Sequence, residues 1–247
     1  MKKLAVILLT IITSFGYSQN LNQIFEEGNK LYQEKEYRQA LDKYQEVSEQ
    51  GYESSALYFN MGNAYFKSNQ LAKAILYYER AQQLSPYDDD VKQNLKIAKE
   101  GTIDRFETVP QPLVRTAYHS ILTALTPGGW AITAVVCLFL FVAGLGAYLF
   151  TSVRRPGFVV AVTGLLIGVL SISLAYGHQD YLQKNRPAVI TATSSYVKSG
   201  PSEKAEDVFI LHEGTSAVVT EDYEGWKKIK LPDGKVGWIE SRDLVEV

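Results

Sequence analysis

The chain has 247 residues, a formal charge of −2 and 46% hydrophobic residues. This length allows more than one domain, and a nearly neutral chain gives no electrostatic reason to expect binding to nucleic acid. The single cysteine, Cys137, excludes a disulfide within the chain, and no Cys/His cluster has metal-ligand spacing. We therefore expect neither a metal nor another cofactor.

The first 18 residues have the pattern of a secretory signal peptide. Lys2 and Lys3 form a basic start, residues 4–15 are apolar, and the segment ends in small residues up to Ser18. A third membrane helix is the alternative, but a span needs about 20 apolar residues. The pattern predicts cleavage before Gln19 and export of the segment that follows.

Residues 19–107 contain a pattern with a period of 34 residues. The matching pairs are Gly28 and Gly62, Asn29 and Asn63, Ala40 and Ala74, and Tyr44 and Tyr78. The pattern resembles the tetratricopeptide (TPR) repeat, in which small residues let two helices touch. It predicts an all-α TPR solenoid of two repeats with a capping helix after Pro86. Because such stacks usually need about three repeats, we expect a partner, a second copy or the membrane-proximal segment to complete this one.

The resemblance implies a groove along the first helix of each repeat, where TPR proteins hold a peptide or a helix. The groove positions in this chain are Phe25, Asn29, Tyr32, Phe59, Asn63, Phe66 and Lys67. Asparagine can pair with a peptide backbone, and aromatic rings supply apolar contact area. The alternative is that these side chains pack within the domain. Because Phe25 stands where acid-binding TPR domains have lysine, we do not expect capture of an acidic C-terminal tail.

Residues 108–129 form a linker with a short amphipathic pattern. Pro110 and Pro112 interrupt any preceding helix, and apolar residues then recur at helical spacing. The pattern predicts a helix that lies either in the lipid headgroup layer or against the TPR cap.

Two uncharged apolar runs follow, at residues 130–150 and 158–176. As helices with a rise of ~1.5 Å per residue they reach about 28–31 Å, close to the ~30 Å hydrocarbon core of a bilayer. They predict a two-helix transmembrane hairpin, with the core of a soluble helical domain as the alternative. Gly164 and Gly168 favour close packing of the pair, or docking of another membrane protein. Arg154 and Arg155 in the loop 151–157 place this loop in the cytoplasm, and both flanking domains in the periplasm.

Residues 186–247 alternate apolar and polar residues in short runs, which predicts a small all-β barrel. Gly225-Trp226 and Gly237-Trp238 resemble landmarks of the bacterial SH3-like domain. Some of these domains bind cell-wall peptide, so the resemblance implies Tyr196, Tyr223 and Trp226 as a wall-ligand site. The alternative is that Trp226 and Trp238 are packing residues.

No nucleophile, base or paired carboxylate occurs at a catalytic spacing, so we expect no enzyme. The order of signal peptide, TPR pair, membrane hairpin and SH3-like barrel resembles the BatE proteins of the Bacteroides aerotolerance operon over essentially the full chain. The resemblance implies a multidomain, multi-pass inner-membrane scaffold that acts with other Bat proteins in envelope stress tolerance. The rival interpretation is a membrane protein that binds peptidoglycan through the barrel.

Overall fold

A computed structural model describes residues 20–106 and 112–247, which form two compact units. The first unit contains residues 20–106 together with residues 187–247, and the second contains residues 112–186. The predicted signal peptide and Pro110 lie outside the described residues.

Helices form the N-terminal part of the first unit. Residues 20–33 are helical (α1). The next helices are α2 (Tyr37–Glu49), α3 (Ser55–Lys67), α4 (Leu71–Leu84) and α5 (Asp89–Glu100). Ser54 and Asp88 cap α3 and α5, because their side-chain oxygens accept backbone N–H groups of the first turn. The predicted TPR repeats are therefore two helical hairpins, α1–α2 and α3–α4, followed by a single helix.

Each hairpin is closed by a glycine at the predicted position of close approach. A Cβ added to Gly28 would lie 2.6 Å from Tyr44 Cε1, and one added to Gly62 would lie 2.6 Å from Tyr78 Cδ1. Both distances are far below van der Waals contact, so only glycine lets the tyrosine ring pack on the facing backbone. Tyr44 and Tyr78 are almost fully buried as a result.

The C-terminal part of the first unit is an antiparallel sheet around its own core. Its strands are β1 (Arg186–Ile190), β2 (Ser194–Lys198), β3 (Asp207–His212), β4 (Ser216–Tyr223), β5 (Trp226–Lys230), β6 (Val236–Glu240) and β7 (Leu244–Glu246). They lie in the order β3-β2-β6-β5-β4-β1-β7. Alternate residues such as Val197, Val219, Ile229 and Ile239 are fully buried, as the period of two requires. The all-β SH3-like fold is thus confirmed.

This barrel covers the side of α4 that the helices leave open. Gly214, at the turn before β4, has a φ of +84°, and an added Cβ would lie 3.1 Å from Ile75 Cδ1. The Ser216 hydroxyl donates to Glu79 Oε1 at 2.6 Å, and Val189 of β1 belongs to the helical core. The barrel of the same chain thus packs against the short TPR stack, a contact that the sequence did not predict.

Asp104, in the segment after α5, is the polar centre of this contact. Its carboxylate accepts hydrogen bonds from the His212 backbone N–H at 2.7 Å and from the Thr215 hydroxyl at 2.6 Å. His212 Nδ1 lies 2.9 Å from the other oxygen. Burial raises the pKa of Asp104, but the hydrogen bonds from Thr215 and His212 outweigh it and hold the pKa below its ordinary value.

The second unit consists of α6 (Leu113–Leu122), α7 (Pro127–Phe150) and α8 (Arg154–Lys184). Helices α7 and α8 are long and apolar enough to cross a membrane. They touch at glycines: a Cβ added to Gly144 would lie 2.6 Å from the Ala161 backbone nitrogen. The helices extend beyond the predicted apolar runs, since α7 begins at Pro127 rather than at 130 and α8 runs from Arg154 to Lys184 rather than from 158 to 176. Pro156 fits within α8 because the first helical turn needs no backbone donor there.

Candidate functional site

The predicted groove residues lie on α1 and α3, and α5 continues the same row of helices. The three helices are joined by hydrogen bonds between asparagine side chains. Asn60 Nδ2 donates to Asn29 Oδ1 at 2.9 Å, and one repeat later Asn94 Nδ2 donates to Asn63 Oδ1 at 2.9 Å. We call the surface of α1, α3 and α5 around these residues the groove face.

A buried tyrosine hydroxyl also donates a hydrogen bond to each of these asparagine pairs. The Tyr44 hydroxyl donates to Asn29 Oδ1 at 2.9 Å, and the Tyr78 hydroxyl donates to Asn63 Oδ1 at 2.7 Å. Burial raises the pKa of both tyrosines well above the ordinary value, so both hydroxyls stay protonated and remain donors at neutral pH. Asn29 and Asn63 therefore brace three helices at once, which is the packing role that the sequence analysis gave as the alternative.

Some donor and acceptor atoms of these asparagine side chains take no part in the contacts between the helices. Asn63 Nδ2 and the side-chain oxygens of Asn60 and Asn94 make no hydrogen bond to another described residue. An extended peptide backbone offers both the donor and the acceptor that such groups need. Asn63 can therefore brace the helices and still offer its Nδ2 group to a partner.

The predicted aromatic residues divide into two groups. Phe25, Tyr32 and Phe59 are partly buried and pack against the helical core. The Phe25 and Phe59 rings lie 5.8 Å and 5.9 Å from the rings of Tyr44 and Tyr78. Phe66 is 36% exposed, and Lys67 is exposed beside it. Among the predicted residues, Phe66 and Lys67 are thus the most accessible to a partner.

Ile97 of α5 is a groove-face residue that the sequence analysis missed. Asn63 is bonded to Asn94, and three residues further along each helix stand Phe66 and Ile97, on the same face of their helices. Ile97 is 46% exposed. The step of 34 residues from Asn63 to Ile97 was visible in the sequence and would have identified this position.

The predicted wall-ligand residues lie on three strands of the sheet. Tyr223 and Trp226 face each other across the β4–β5 hairpin, whereas Tyr196 lies on β2, with β6 and β5 between β2 and β4. The centroids of the Tyr223 and Trp238 rings lie 6.5 Å apart, with the two rings nearly perpendicular. Lys228 Nζ lies 5.7 Å from the centroid of the Trp238 ring. Trp238 alternates with the buried residues Gly237 and Ile239, so its side chain is on the outer face of the sheet. This aromatic cluster, formed by Tyr223, Trp226 and Trp238, therefore includes a residue that the sequence analysis regarded as packing.

Two protein families match this chain. The tetratricopeptide repeat family matches residues 55–88, and the bacterial SH3 domain family matches residues 193–245. Both are typically non-catalytic interaction modules, and both matches agree with the folds of these segments. The matches confirm the predicted TPR repeat and bacterial SH3 domain.

A curated relative and a solved structure are similar to parts of the chain. Sperm-associated antigen 1 of Rattus norvegicus is 31% identical over 87 residues, which cover 35% of this chain and 10% of that protein. The chain thus spans about a tenth of this relative's length. The TPR2AB-domain:pHSP90 complex of yeast Sti1 aligns at 18% identity and a TM-score of 0.31. That alignment covers 66% of this chain and 64% of that chain.

Proposed function

We propose that the chain is a non-enzymatic membrane adaptor that holds a protein partner on the groove face of its TPR repeats. The observation that carries this proposal is the pair Phe66 and Ile97, which exposes apolar area beside amide groups that have no partner among the described residues. Apolar anchors next to backbone-pairing groups suit a peptide or a helix, because they supply contact area and orientation together.

The charge of the groove face favours a partner with few acidic residues. Phe25, Asp90 and Asn94 stand where acid-binding TPR domains have cations, and Glu100 adds negative charge at the C-terminal end of α5. Like charges brought together weaken association. We therefore expect a partner segment that is apolar, with neutral or basic flanks.

The membrane arrangement is part of the same proposal. The TPR helices and the barrel pack together as one unit although the hairpin separates them in sequence, which supports a position of both on one side of the bilayer. Arg154 and Arg155 at the start of α8, next to the turn of the hairpin, favour the periplasm as that side and the inner membrane as the location. The resemblance to BatE proteins supports an assembly with other Bat proteins in aerotolerance or envelope stress.

Replacing Phe66 with alanine tests the groove face. Phe66 is not part of the helical core, so the variant should keep its melting temperature while it recovers markedly less partner from native membranes. Arg38→Ala, at an exposed position on α2, is the matched control and should recover the partner normally. Equal recovery by both variants would argue against the groove face as the binding site.

Peptidoglycan binding through the barrel is the second candidate, favoured by the exposed contact of Tyr223 with Trp238. Aromatic rings with polar neighbours are common in ligand sites. The full-length protein in detergent should then sediment with purified peptidoglycan, and Tyr223→Ala should reduce this. Tyr87→Ala, at a tyrosine outside the barrel that is 83% exposed, is the control. Absence of co-sedimentation would remove this candidate.

A further inference from the structure

Helix α6 packs on the end of α8 through one face. Leu122 is 2% exposed, and a Cβ added to Gly177 would lie 3.4 Å from Leu122 Cδ1. The rings of His119 and Tyr181 meet edge to face at 4.8 Å. These contacts join α6 to the last turns of α8.

Side chains of α7 and α8 also hold the end of α6. The last carbonyl groups of a helix lack donors within the helix and need others. Trp130 Nε1 donates to the Leu122 carbonyl at 3.0 Å. His178 Nδ1 lies 3.0 Å from the Leu125 carbonyl, which can only accept, so Nδ1 carries the hydrogen. Together with the packing, these bonds fix the rotation of α6 about its own axis.

This rotation leaves a second, apolar face of α6 exposed. Its residues are Leu113, Val114, Tyr118 and Ile121, which are between 56% and 87% exposed. At 100° per residue the four positions fall within an arc of about 140°. Arg115 and Thr116 lie on the opposite side of the helix, each about 130° from the centre of this arc.

We propose that α6 lies in the plane of the membrane, with this apolar face in the interfacial layer of the bilayer. The chain itself supports the bilayer as the occupant, since only residues 123–126 separate α6 from α7. Five peptide steps reach at most about 18 Å, so α6 lies close to the membrane end of α7. An amphipathic helix at this depth buries its apolar face about 5–10 Å into the headgroup and acyl boundary. The inference rests on the proposed membrane insertion of α7 and α8.

Spin labelling of the full-length protein in lipid nanodiscs tests this inference. After Cys137→Ala removes the native thiol, single labels are placed at Val114→Cys and Ile121→Cys on the apolar face. Matched labels at Arg115→Cys and Thr116→Cys report on the opposite face, and Leu166→Cys on α8 reports on the hairpin. The ratio of collision rates with oxygen, which concentrates in lipid, to those with a water-soluble nickel chelate is measured at each site.

We expect the ratio at Val114 and Ile121 to exceed that at Arg115 and Thr116 at least severalfold, and to approach that at Leu166. Equal ratios on both faces of α6, with a lipid-like value at Leu166, would overturn the inference alone. Protection of Val114 and Ile121 from both reagents would also overturn it, because a partner or a second copy would then cover the face. A water-like ratio at Leu166 would instead overturn the proposed insertion of the hairpin.

Discussion

Replacing Asp104 with alanine tests whether the barrel stabilises the helical repeats. The carboxylate accepts two bonds from His212 and one from Thr215, which is 3% exposed. The substitution leaves the Thr215 hydroxyl and the His212 amide without their acceptor. An unpaired buried polar group costs about 1–3 kcal/mol, and the hydroxyl is free to rotate, so the expected loss is about 2–4 kcal/mol.

Thermal unfolding of the full-length protein in nanodiscs, followed by tryptophan fluorescence, measures this loss, because Trp226 and Trp238 lie in the barrel. In a unit of about 150 residues 1 kcal/mol shifts the Tm by roughly 2–4 °C, so the Tm should fall by about 4–16 °C. Asp233→Ala is the matched control. Asp233 also has a lowered pKa, but its bonds go to Lys235 within one turn.

The control separates loss of the contact between helices and barrel from loss of a carboxylate alone. An exposed ion pair is worth at most about 1 kcal/mol, so the Tm of Asp233→Ala should fall by no more than about 4 °C. If Asp104→Ala unfolds at the same temperature as Asp233→Ala, the reasoning about the docked barrel is refuted.

Three further predictions follow from the same contacts and from the sequence. Because the pKa of Asp104 is lowered in the folded state, the stability that this carboxylate contributes is complete above about pH 5 and is lost as the pH falls below about 4. Thermal melts of Asp104→Asn should lack that part of the acid dependence, and an acid profile equal to that of the unchanged protein would contradict the role of Asp104. Gly62→Ala puts a methyl group 2.6 Å from the Tyr78 ring and should cost about 1–3 kcal/mol; an unchanged Tm would count against the close helix contact. In intact cells Ser152→Cys should be labelled only from the cytoplasm and a periplasmic reporter after Val247 should be active, whereas labelling from outside would reverse the orientation.

The repeat packing could be predicted from the sequence because it depends on local periodicity. Gly28 and Gly62 recur with Tyr44 and Tyr78 at one period, and in the structure each glycine faces its tyrosine. Small and large residues at a fixed spacing carry this information without knowledge of the rest of the fold.

The role of Asn63 could not be predicted in the same way. Its partners Tyr78 and Asn94 are 15 and 31 residues away on two different helices, and which amide atoms remain unused depends on how these helices meet. Asn63→Ala would leave the buried Tyr78 hydroxyl without its acceptor and should therefore lower stability as well as any binding. Phe66→Ala is consequently the sharper test of the groove face.

The contact between the barrel and the helices also could not be predicted from the sequence. Ser216 and Glu79 are 137 residues apart, and neither lies in a motif that names the other. A hairpin with both ends on one side permits the two domains to meet, but the complementary surfaces become visible only in the structure. Gly214 touches the helices in the structure, but in the sequence a glycine at this position indicates an ordinary turn equally well.

Site-specific photocrosslinking in native membranes tests the adaptor function most directly. A photoreactive amino acid is placed at Phe66 or at Ile97 on the groove face, and at Arg38 on α2 as the control. We expect Phe66 and Ile97 to capture the same protein, in an adduct of one defined mass, and Arg38 not to capture it. Capture of that protein at Arg38 as efficiently as at the groove face, or no adduct from either groove position, would contradict the adaptor function.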